Sequence, residues 1–205
     1  MLKQYLDGAK IEVGIDEAGR GCLFGPVTVA AVVWLHEDPD PTLEIKDSKK
    51  VGEKKRMILK DYIETNAIAW SVQFISPEEI DELNILQATM KGMHKCVDEI
   101  RKQLEIDTIL VDGNSFNIYT DENLDYLNHE CVINGDNTYK SIAAASILAK
   151  THRDNYIIEL SKNNSELEKY GLPKNKGYGT KIHMDALKEY GSTHGHRMSF
   201  KPCQT

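Results

Sequence analysis

The sequence lacks the features that mark several specialised classes of protein. It has no apolar run close to the roughly 20 residues that span a bilayer, no apolar secretion signal near its start, and no internal repeat. Its 205 residues, 40% hydrophobic and 28% charged, are typical of one soluble domain. We therefore expect a single domain over residues 1–205 of a cytoplasmic or nuclear protein that does not contact a membrane. Nothing in the sequence indicates more than a monomer.

Cysteine is scarce as well. The four cysteines are widely separated and form no Cys-x-x-Cys pair, the spacing that would indicate zinc or redox chemistry: Cys22, Cys96, Cys131 and Cys203. We expect free thiols, because disulfides are rare in reducing compartments. The two histidines at 194 and 196 have no third metal ligand nearby, so we expect His196 to support the structure or to contact a phosphate.

An excess of positive charge, the usual sign of nucleic-acid binding, is missing too. The formal net charge is −7, which argues mildly against a polyanionic partner. The average hides two local excesses, because residues 46–56 and residues 170–201 each contain six basic residues against two acidic ones. Such runs usually form a solvated surface, and phosphate binding is the alternative.

Strand and helix signals occur in an order typical of a mixed sheet flanked by helices. Short runs rich in Val, Ile or aromatic residues predict strands at 11–16, 27–35, 67–75, 108–112 and 131–134. Capping residues and helical spacing predict helices at 53–64, from 77, from 85, at 141–161 and at 181–190. In the third helix, an apolar stripe for core packing comprises Leu86, Met90, Met93, Val97, Ile100 and Leu104. The fourth opens with small residues, which would let it lie very close to its neighbour.

Acidic residues stand where predicted strands end beside glycines. Asp16 and Glu17 follow the first strand. Asp112 ends the fourth strand, and Asp136 follows the fifth. Functional sites gather at strand ends of such sheets, so the four side chains could converge; the alternative is that they only form turns and terminate strands. Because adjacent strand residues point to opposite faces, Asp16 and Glu17 can share a site only if the strand ends or bends between them.

Convergence of these acids would have a chemical consequence. Like charges a few ångströms apart either take up protons or bind cations. Carboxylate oxygens without His or Cys favour Mg²⁺ or Mn²⁺ over Zn²⁺. Two such ions, ~3.5–4 Å apart, can activate a water and stabilise the leaving oxygen of a phosphodiester. The pattern therefore indicates a metal-dependent nuclease.

The same residues belong to an ordered set of motifs. The chain resembles the type 2 ribonuclease H family, ribonuclease HII in particular, in blocks that follow the family's order over nearly the whole length. These blocks are Gly14–Gly21 closing with Gly25-Pro26, Asp47–Lys50, Glu53–Arg56, Asn84–Thr89, Val111–Gly113, Gly135-Asp136, Ser141–Lys150 with Arg153-Asp154, Gly177–Thr180 with His183, Tyr190-Gly191, His196-Arg197 and Ser199-Phe200. One G-x-D-E-x-G motif would be weak, whereas the ordered set is specific.

The resemblance implies an α/β, ribonuclease H-like fold. A five-stranded mixed sheet would be flanked by helices, with a C-terminal helical extension at about residues 165–205 that contributes to substrate binding. The implied catalytic and metal-binding residues are Asp16, Glu17, Asp112 and Asp136, with Mg²⁺ or Mn²⁺ as cofactor. The implied activity is two-metal-ion hydrolysis of the RNA strand of RNA–DNA hybrids. It includes nicking 5′ of ribonucleotides embedded in duplex DNA, as in ribonucleotide excision repair, and leaves 3′-hydroxyl and 5′-phosphate ends.

The resemblance also assigns substrate contacts. The backbone of Gly19, Arg20 and Gly21 would contact the ribose 2′-hydroxyl, which is both donor and acceptor, and glycines allow that close approach. Tyr178 would stack on the sugar or base at the RNA–DNA junction. The candidates for phosphate contacts, which would make binding sensitive to salt, are Lys49, Lys50, Lys181 and Arg197.

Three positions depart from the family pattern. Cys22 stands where proline is usual and Phe24 where a small residue is usual, both beside the Gly-Arg-Gly segment. Asn134 replaces a frequent lysine. The shape of the Gly-Arg-Gly turn, and with it the preference for isolated ribonucleotides, is therefore open.

Three other functions compete with this interpretation. The sister family, ribonuclease HIII, shares fold and chemistry but lacks the Gly-Arg-Gly contact; Phe24 favours it, whereas Arg20 and the short segment before the first strand do not. A non-catalytic hybrid-binding module would have no reason to keep four clustered acids beside phosphates. A metal nuclease that cuts plain DNA is the third alternative. Substrate testing separates all three.

Overall fold

Five strands form one mixed sheet in the computed structural model, which describes residues 2–8, 10–34, 37–40, 42–121 and 123–204. The strands are β1 (Glu12–Ala18), β2 (Val27–Val33), β3 (Ala69–Ile75), β4 (Thr108–Asp112) and β5 (Asn128–Val132). Their order across the sheet is β3-β2-β1-β4-β5. The first three strands pair antiparallel, whereas β1, β4 and β5 run parallel. The predicted fold class, a five-stranded mixed sheet with helices, is confirmed.

Helices cover both faces of this sheet. They are α1 (Glu53–Asn66), α2 (Pro77–Leu83), α3 (Ile85–Arg101), α4 (Lys140–Asn163), α5 (Leu172–Asn175) and α6 (Lys181–Tyr190). On one face, Met93 and Val97 of α3 pack against Val13 and Ile15. On the other, the alanine-rich start of α4 packs on β1, β2 and α1. Each fully buried large aliphatic side chain stabilises the fold by about 1.5–3 kcal/mol. Among the described residues, no helix is both long and apolar enough to cross a bilayer.

Helix α4 lies unusually close to β1, as its small residues predicted. A Cβ placed on Gly14 would come within 2.3 Å of the backbone carbon of Ser141. Only glycine on the strand and small residues on the helix permit that separation. This close packing buries the first half of α4 under the end of β1, where Asp16 lies.

Several predicted boundaries were wrong by a few residues. Strand β5 covers Asn128–Val132 and not residues 131–134. The sequence did not predict its start because the first three residues are exposed and polar and carry no apolar signal. Asn134 instead adopts a left-handed conformation with φ 56°, which ends the strand. In the apolar stripe of α3, Leu86 is exposed and Leu104 lies beyond the end of the helix. The last residue of the predicted second strand, Leu35, lies outside the described residues.

The C-terminal part of the chain packs against α4 and against the segment that links β1 to β2. Its small core includes Leu172 and Leu187, which surround Phe24 and Ile157. Helix α6 begins and ends where the sequence predicted, with the Thr180 side chain accepting from the His183 N–H and with Gly191 as its C-cap. The segment between β1 and β2 is therefore enclosed by residues that are distant in sequence.

Candidate active site

The four predicted acids lie at one edge of the sheet. Asp16 and Glu17 lie in the last three residues of β1, Asp112 is the last residue of β4, and Asp136 lies in a short 3-10 turn after β5. Because these strands are parallel, their carboxyl ends meet at the same edge. Each of the acids is within electrostatic reach of at least one other, and Asp112 acts on the other three. We call these four residues the acidic cluster.

Strand β1 neither ends nor bends between Asp16 and Glu17, contrary to the condition set from the sequence. Its pairing with β2 continues regularly through Ala18. Asp16 is buried, where it accepts hydrogen bonds from the Ser146 side chain and, at 2.7 Å, from the Glu17 N–H. Glu17 is paired with Arg20 at 3.1 Å. The two acids share Asp112 as a neighbour because the parallel pairing of β1 with β4 stops at the preceding residue of each strand.

Asp112 and Asp136 are held by the turn that follows β5. The Gly135 N–H donates to Asp112 Oδ1 at 2.7 Å. The Asn137 side chain donates to Asp136 Oδ1 at 2.9 Å. The other oxygen of Asp136, Oδ2, is buried and has no hydrogen-bond partner. A buried carboxylate oxygen without a donor is costly, so this atom marks a place where a positive charge would be stabilising.

Burial and mutual repulsion raise the pKa of three members of the cluster. Burial raises the pKa of Asp16 well above its ordinary value, and Glu17 and Asp112 raise it further. Burial also raises the pKa of Glu17, although Arg20 opposes the shift. For Asp136, burial raises the pKa and the neighbouring Asp112 and Asp47 add to it. The protein itself therefore compensates the negative charge of the cluster incompletely.

Lys49 forms an ion pair with Asp136. Its ammonium lies 3.7 Å from Asp136 Oδ2, on a side chain that is 80% exposed. Partial burial would lower the pKa of Lys49, but the nearby carboxylates, Asp136 foremost, raise it. Lys50 contacts the Asn137 side chain. The second predicted basic residue of this segment thus also lies beside the turn that carries Asp136.

A fifth acid, Asp47, lies beside the acidic cluster. The sequence motifs include Asp47, but no role was assigned to it from the sequence. It accepts from the Lys49 N–H at 2.9 Å and from the Asn137 side chain at 3.3 Å. Burial would raise the pKa of Asp47, but these hydrogen bonds hold it below the ordinary value. Asn137 therefore connects Asp47 with Asp136. In the sequence, only the position of Asn137 directly after Asp136 could have suggested this connection.

The chemistry of the cluster fits a hard divalent cation. Its ligand atoms are all carboxylate oxygens, one of them lacks a donor, and their charges repel each other. Within the described part of the chain, no three His, Cys, Asp or Glu side chains are already arranged as a closed metal site. Binding of a cation by these residues would therefore require side-chain movements that bring the carboxylate oxygens closer together.

The segment Gly19–Pro26, which we call the glycine turn, lies beside the acidic cluster. Gly19 has φ +86°, and a Cβ placed on it would lie 1.9 Å from Arg153 Nε. Gly21 is open, since its Cβ would meet nothing within 4 Å. Arg20, between them, reaches back to Glu17. One end of the turn is thus packed tightly against the protein, whereas Gly21 offers its backbone to solvent.

Two wholly buried arginines support the glycine turn from beneath; we call Arg153 and Arg197 the arginine pair. Arg153 donates to the carbonyls of Phe24 and Pro26, both at 3.0 Å. Arg197 donates to the carbonyls of Gly25 at 3.0 Å and Arg20 at 2.8 Å. The prediction that Arg197 contacts a phosphate is therefore wrong in this structure, because a fully buried guanidinium has no surface to offer.

Tyr178 lies on the other side of Arg153. The residue is 39% exposed, and the cations of Lys150 and Arg153 lie 5.1 and 5.7 Å from the centroid of its ring. Asp154 holds Lys150 in place with an ion pair of 2.8 Å. Burial of the hydroxyl, with the Cys22 thiol beside it, raises the pKa of Tyr178 to about 12. The phenol is therefore neutral, and one part of the ring remains available for stacking.

The remaining predicted residues take different places. Lys181 is exposed in the first turn of α6. His196 is buried and lies 3.0 Å from His183, Nε2 to Nε2, whereas His194 is largely exposed. Both unusual residues of the glycine turn, Cys22 and Phe24, are buried, and the Phe24 ring packs edge-on against His196 at 5.0 Å. The histidines at 194 and 196 thus do not form a common site.

Comparison with known proteins gives a consistent result. The family model described as Ribonuclease HII matches residues 13–203. Proteins named Ribonuclease HII from Bacteroides thetaiotaomicron and Francisella philomiragia are 49% and 45% identical, over 98% and 95% of this chain and 94% and 98% of theirs. Among solved structures, the Archaeoglobus fulgidus PCNA:RNase HII complex is similar with a TM-score of 0.70 and 28% identity, covering 88% of this chain and 86% of that one. Bst-RNase HIII in complex with Mn²⁺ shares the fold with a TM-score of 0.73 at 21% identity, covering 96% and 69%.

Proposed function

This chain belongs to the ribonuclease HII family, and we propose that it nicks duplex DNA on the 5′ side of embedded ribonucleotides and hydrolyses the RNA strand of RNA–DNA hybrids. As a member of that family it is an endonuclease of the ribonuclease H type. We further propose that the products carry 3′-hydroxyl and 5′-phosphate ends. The corresponding role is ribonucleotide excision repair in the cytoplasm, performed by a monomer.

The observation that carries this proposal is the partly buried, incompletely compensated acidic cluster, in which Asp136 Oδ2 has no hydrogen-bond donor. Asp16, Glu17, Asp112 and Asp136 would hold two divalent cations, Mg²⁺ or Mn²⁺. When bound, such ions activate a water and stabilise the leaving oxygen of a phosphodiester. The Mn²⁺ complex of the structurally similar Bst-RNase HIII supports a metal of this class.

The surrounding residues prepare the site for a polyanion. A cluster of carboxylates repels phosphates, so positive charge must balance it at the entrance. The exposed ammonium of Lys49, 3.7 Å from Asp136 Oδ2, would contact a phosphate oxygen while it remains paired with the cluster. Lys50 and Lys181, both exposed, would contribute contacts along the strand. Binding should therefore weaken as salt rises.

Selection of a ribonucleotide would rest on the glycine turn and Tyr178. Gly21 leaves its backbone open, which suits close approach to a sugar and its 2′-hydroxyl. The half-exposed ring of Tyr178 would stack on the neighbouring sugar or base. The extension at about residues 165–205 carries Tyr178 and the exposed Lys181, so we assign it a role in substrate binding within a single domain.

The test uses three duplexes of one sequence: DNA with a single ribonucleotide, a continuous RNA–DNA hybrid, and DNA alone. With Mg²⁺ or Mn²⁺ we expect a nick 5′ of the single ribonucleotide, cleavage of the hybrid, and no reaction with plain DNA. A chelator should stop both reactions. Cleavage that persists in chelator, or cleavage of plain DNA, contradicts the proposal. Cleavage of the hybrid without the single-ribonucleotide nick would indicate ribonuclease HIII-like specificity.

A further inference from the structure

Arg153 joins two separate parts of the molecule. Its guanidinium donates to the carbonyls of Phe24 and Pro26 in the glycine turn and, at 2.8 Å, to the carbonyl of Lys176. The same guanidinium lies 5.7 Å from the centre of the Tyr178 ring. One rigid, planar group thus contacts both elements to which substrate recognition is assigned.

The contacts of Arg153 are close enough to set a distance. A Cβ on Gly19 would overlap with Arg153 Nε, and a Cβ on Gly177 would lie 3.3 Å from Arg153 Nη2 and 2.5 Å from the Phe24 carbonyl oxygen. Glycine is therefore required on both sides of the guanidinium. One direct backbone hydrogen bond, from the Leu23 N–H to the Gly177 carbonyl at 2.8 Å, joins the two elements in addition.

Arg197 provides an internal comparison. It is as deeply buried as Arg153 and donates to two carbonyls of the same turn, those of Arg20 and Gly25. Its guanidinium packs on the Phe200 ring, 5.2 Å from the centroid. The Arg197 guanidinium thus donates to the glycine turn and packs on Phe200, whereas the Arg153 guanidinium donates both to the turn and to the Tyr178 segment.

We propose that Arg153 is a positioning residue that sets the spacing between the glycine turn and Tyr178, and thereby determines the preference for a single ribonucleotide over a continuous hybrid. This inference rests on the proposed function, in which the turn contacts the ribose and Tyr178 contacts its neighbour. At a single ribonucleotide only one sugar carries a 2′-hydroxyl, so both contacts must be made at one fixed spacing. A continuous hybrid presents a 2′-hydroxyl at every position and tolerates error in that spacing.

The experiment compares Arg153→Lys with Arg197→Lys on the single-ribonucleotide duplex and on the continuous hybrid. Lysine keeps the buried charge but cannot donate to three carbonyls in one plane. For Arg153→Lys, kcat/KM on the single ribonucleotide should fall about tenfold more than kcat/KM on the hybrid, because small misplacements strongly affect catalysis. Arg197→Lys should lower both values by the same factor. Adding Arg153→Lys to Tyr178→Ala should not change the preference further.

The ratio of the two kcat/KM values does not depend on how much enzyme is folded, so the test survives partial unfolding of a variant. An unchanged ratio in Arg153→Lys, or an equal shift in Arg197→Lys, would overturn the assignment to Arg153 and leave the proposed function intact. A wild-type protein that cleaves neither substrate would instead show that the proposed function itself is wrong.

Discussion

The acidic cluster and the arginine pair are two regions of buried charge that differ in how the charge is compensated. Arg153 donates to three backbone carbonyls, whereas Arg197 donates to two, packs on Phe200 and keeps one buried nitrogen, Nη2, without a hydrogen-bond partner. In the acidic cluster, Asp136 Oδ2 has no hydrogen-bond donor, and burial together with mutual repulsion raises the pKa values of Asp16, Glu17 and Asp136. Charge that carbonyl dipoles satisfy, as at Arg153, serves the structure, whereas the surplus charge of the acidic cluster is available for a ligand.

The largest effect should follow removal of one charge from the acidic cluster. Asp112→Asn keeps the oxygen that accepts from the Gly135 N–H but weakens cation binding. We expect kcat to fall on the order of a thousandfold. That factor corresponds to the several kcal/mol by which metal ions lower the barrier to phosphodiester hydrolysis. The unfolding midpoint in chelator should stay the same or rise, because repulsion is relieved. Activity close to wild type would refute the role of Asp112.

Removal of one charge from the arginine pair should, in contrast, lower the stability of the fold. Arg197→Met removes the guanidinium that donates to the buried carbonyl of Gly25 and to the carbonyl of Arg20. We expect a loss of about 2–4 kcal/mol in the free energy of unfolding, measured by urea denaturation in chelator. Asp112→Asn, measured in parallel, is the matched control. If both variants were equally destabilised, the contrast between the two regions would not hold.

Within the glycine turn, the two glycines should respond differently to the same methyl group. Gly19→Ala must adopt φ +86° and clash with Arg153, so we expect it to cost about 2 kcal/mol of stability. Gly21→Ala meets nothing within 4 Å and should leave the unfolding midpoint almost unchanged. If Gly21 contacts a sugar, its variant should nevertheless raise KM for the single-ribonucleotide duplex. Equal melting temperatures for the two variants would contradict the packing described for Gly19.

The smallest expected effect is the change of stability with pH, which should shift the melting temperature by about a few degrees. Raised pKa values in the acidic cluster mean that the folded state holds protons that the unfolded state has lost. Stability from this source is full below the ordinary carboxyl pKa and is lost as pH rises through the raised values. Mg²⁺ should remove this dependence.

The buried His196 should show the reverse dependence on pH. Burial lowers its pKa to about 4, with His183 adding to the shift. Its contribution to stability is full above the ordinary value of about 6.5 and is lost as pH falls towards 4. Melting temperatures with and without Mg²⁺ separate the two contributions, since only that of the acidic cluster depends on the metal. A Mg²⁺ effect that is the same at all pH values would contradict this separation.

Much of the fold followed from local pattern. Helix α6, with Thr180 and Gly191 at its ends, was predicted to the residue, because capping signals are local. Strand β5 was misplaced, because an edge strand with exposed polar residues lacks the apolar alternation that marks other strands. The strand does not end between Asp16 and Glu17, because β1 pairs with β2 through Ala18. Both acids instead interact with Asp112 of the neighbouring strand, a contact that the sequence does not show.

The sequence by itself determined the family, the order of the elements and the position of each acid at a strand end. Only the tertiary structure showed how buried charge is compensated, because those partners are distant in sequence. Arg153 reaches Pro26 across 127 positions, and Arg197 reaches Arg20 across 177. Whether an arginine faces a phosphate or a backbone carbonyl depends on which chain segments enclose it. No local pattern around Arg197 carries that information, whereas periodicity and capping depend only on neighbours along the chain.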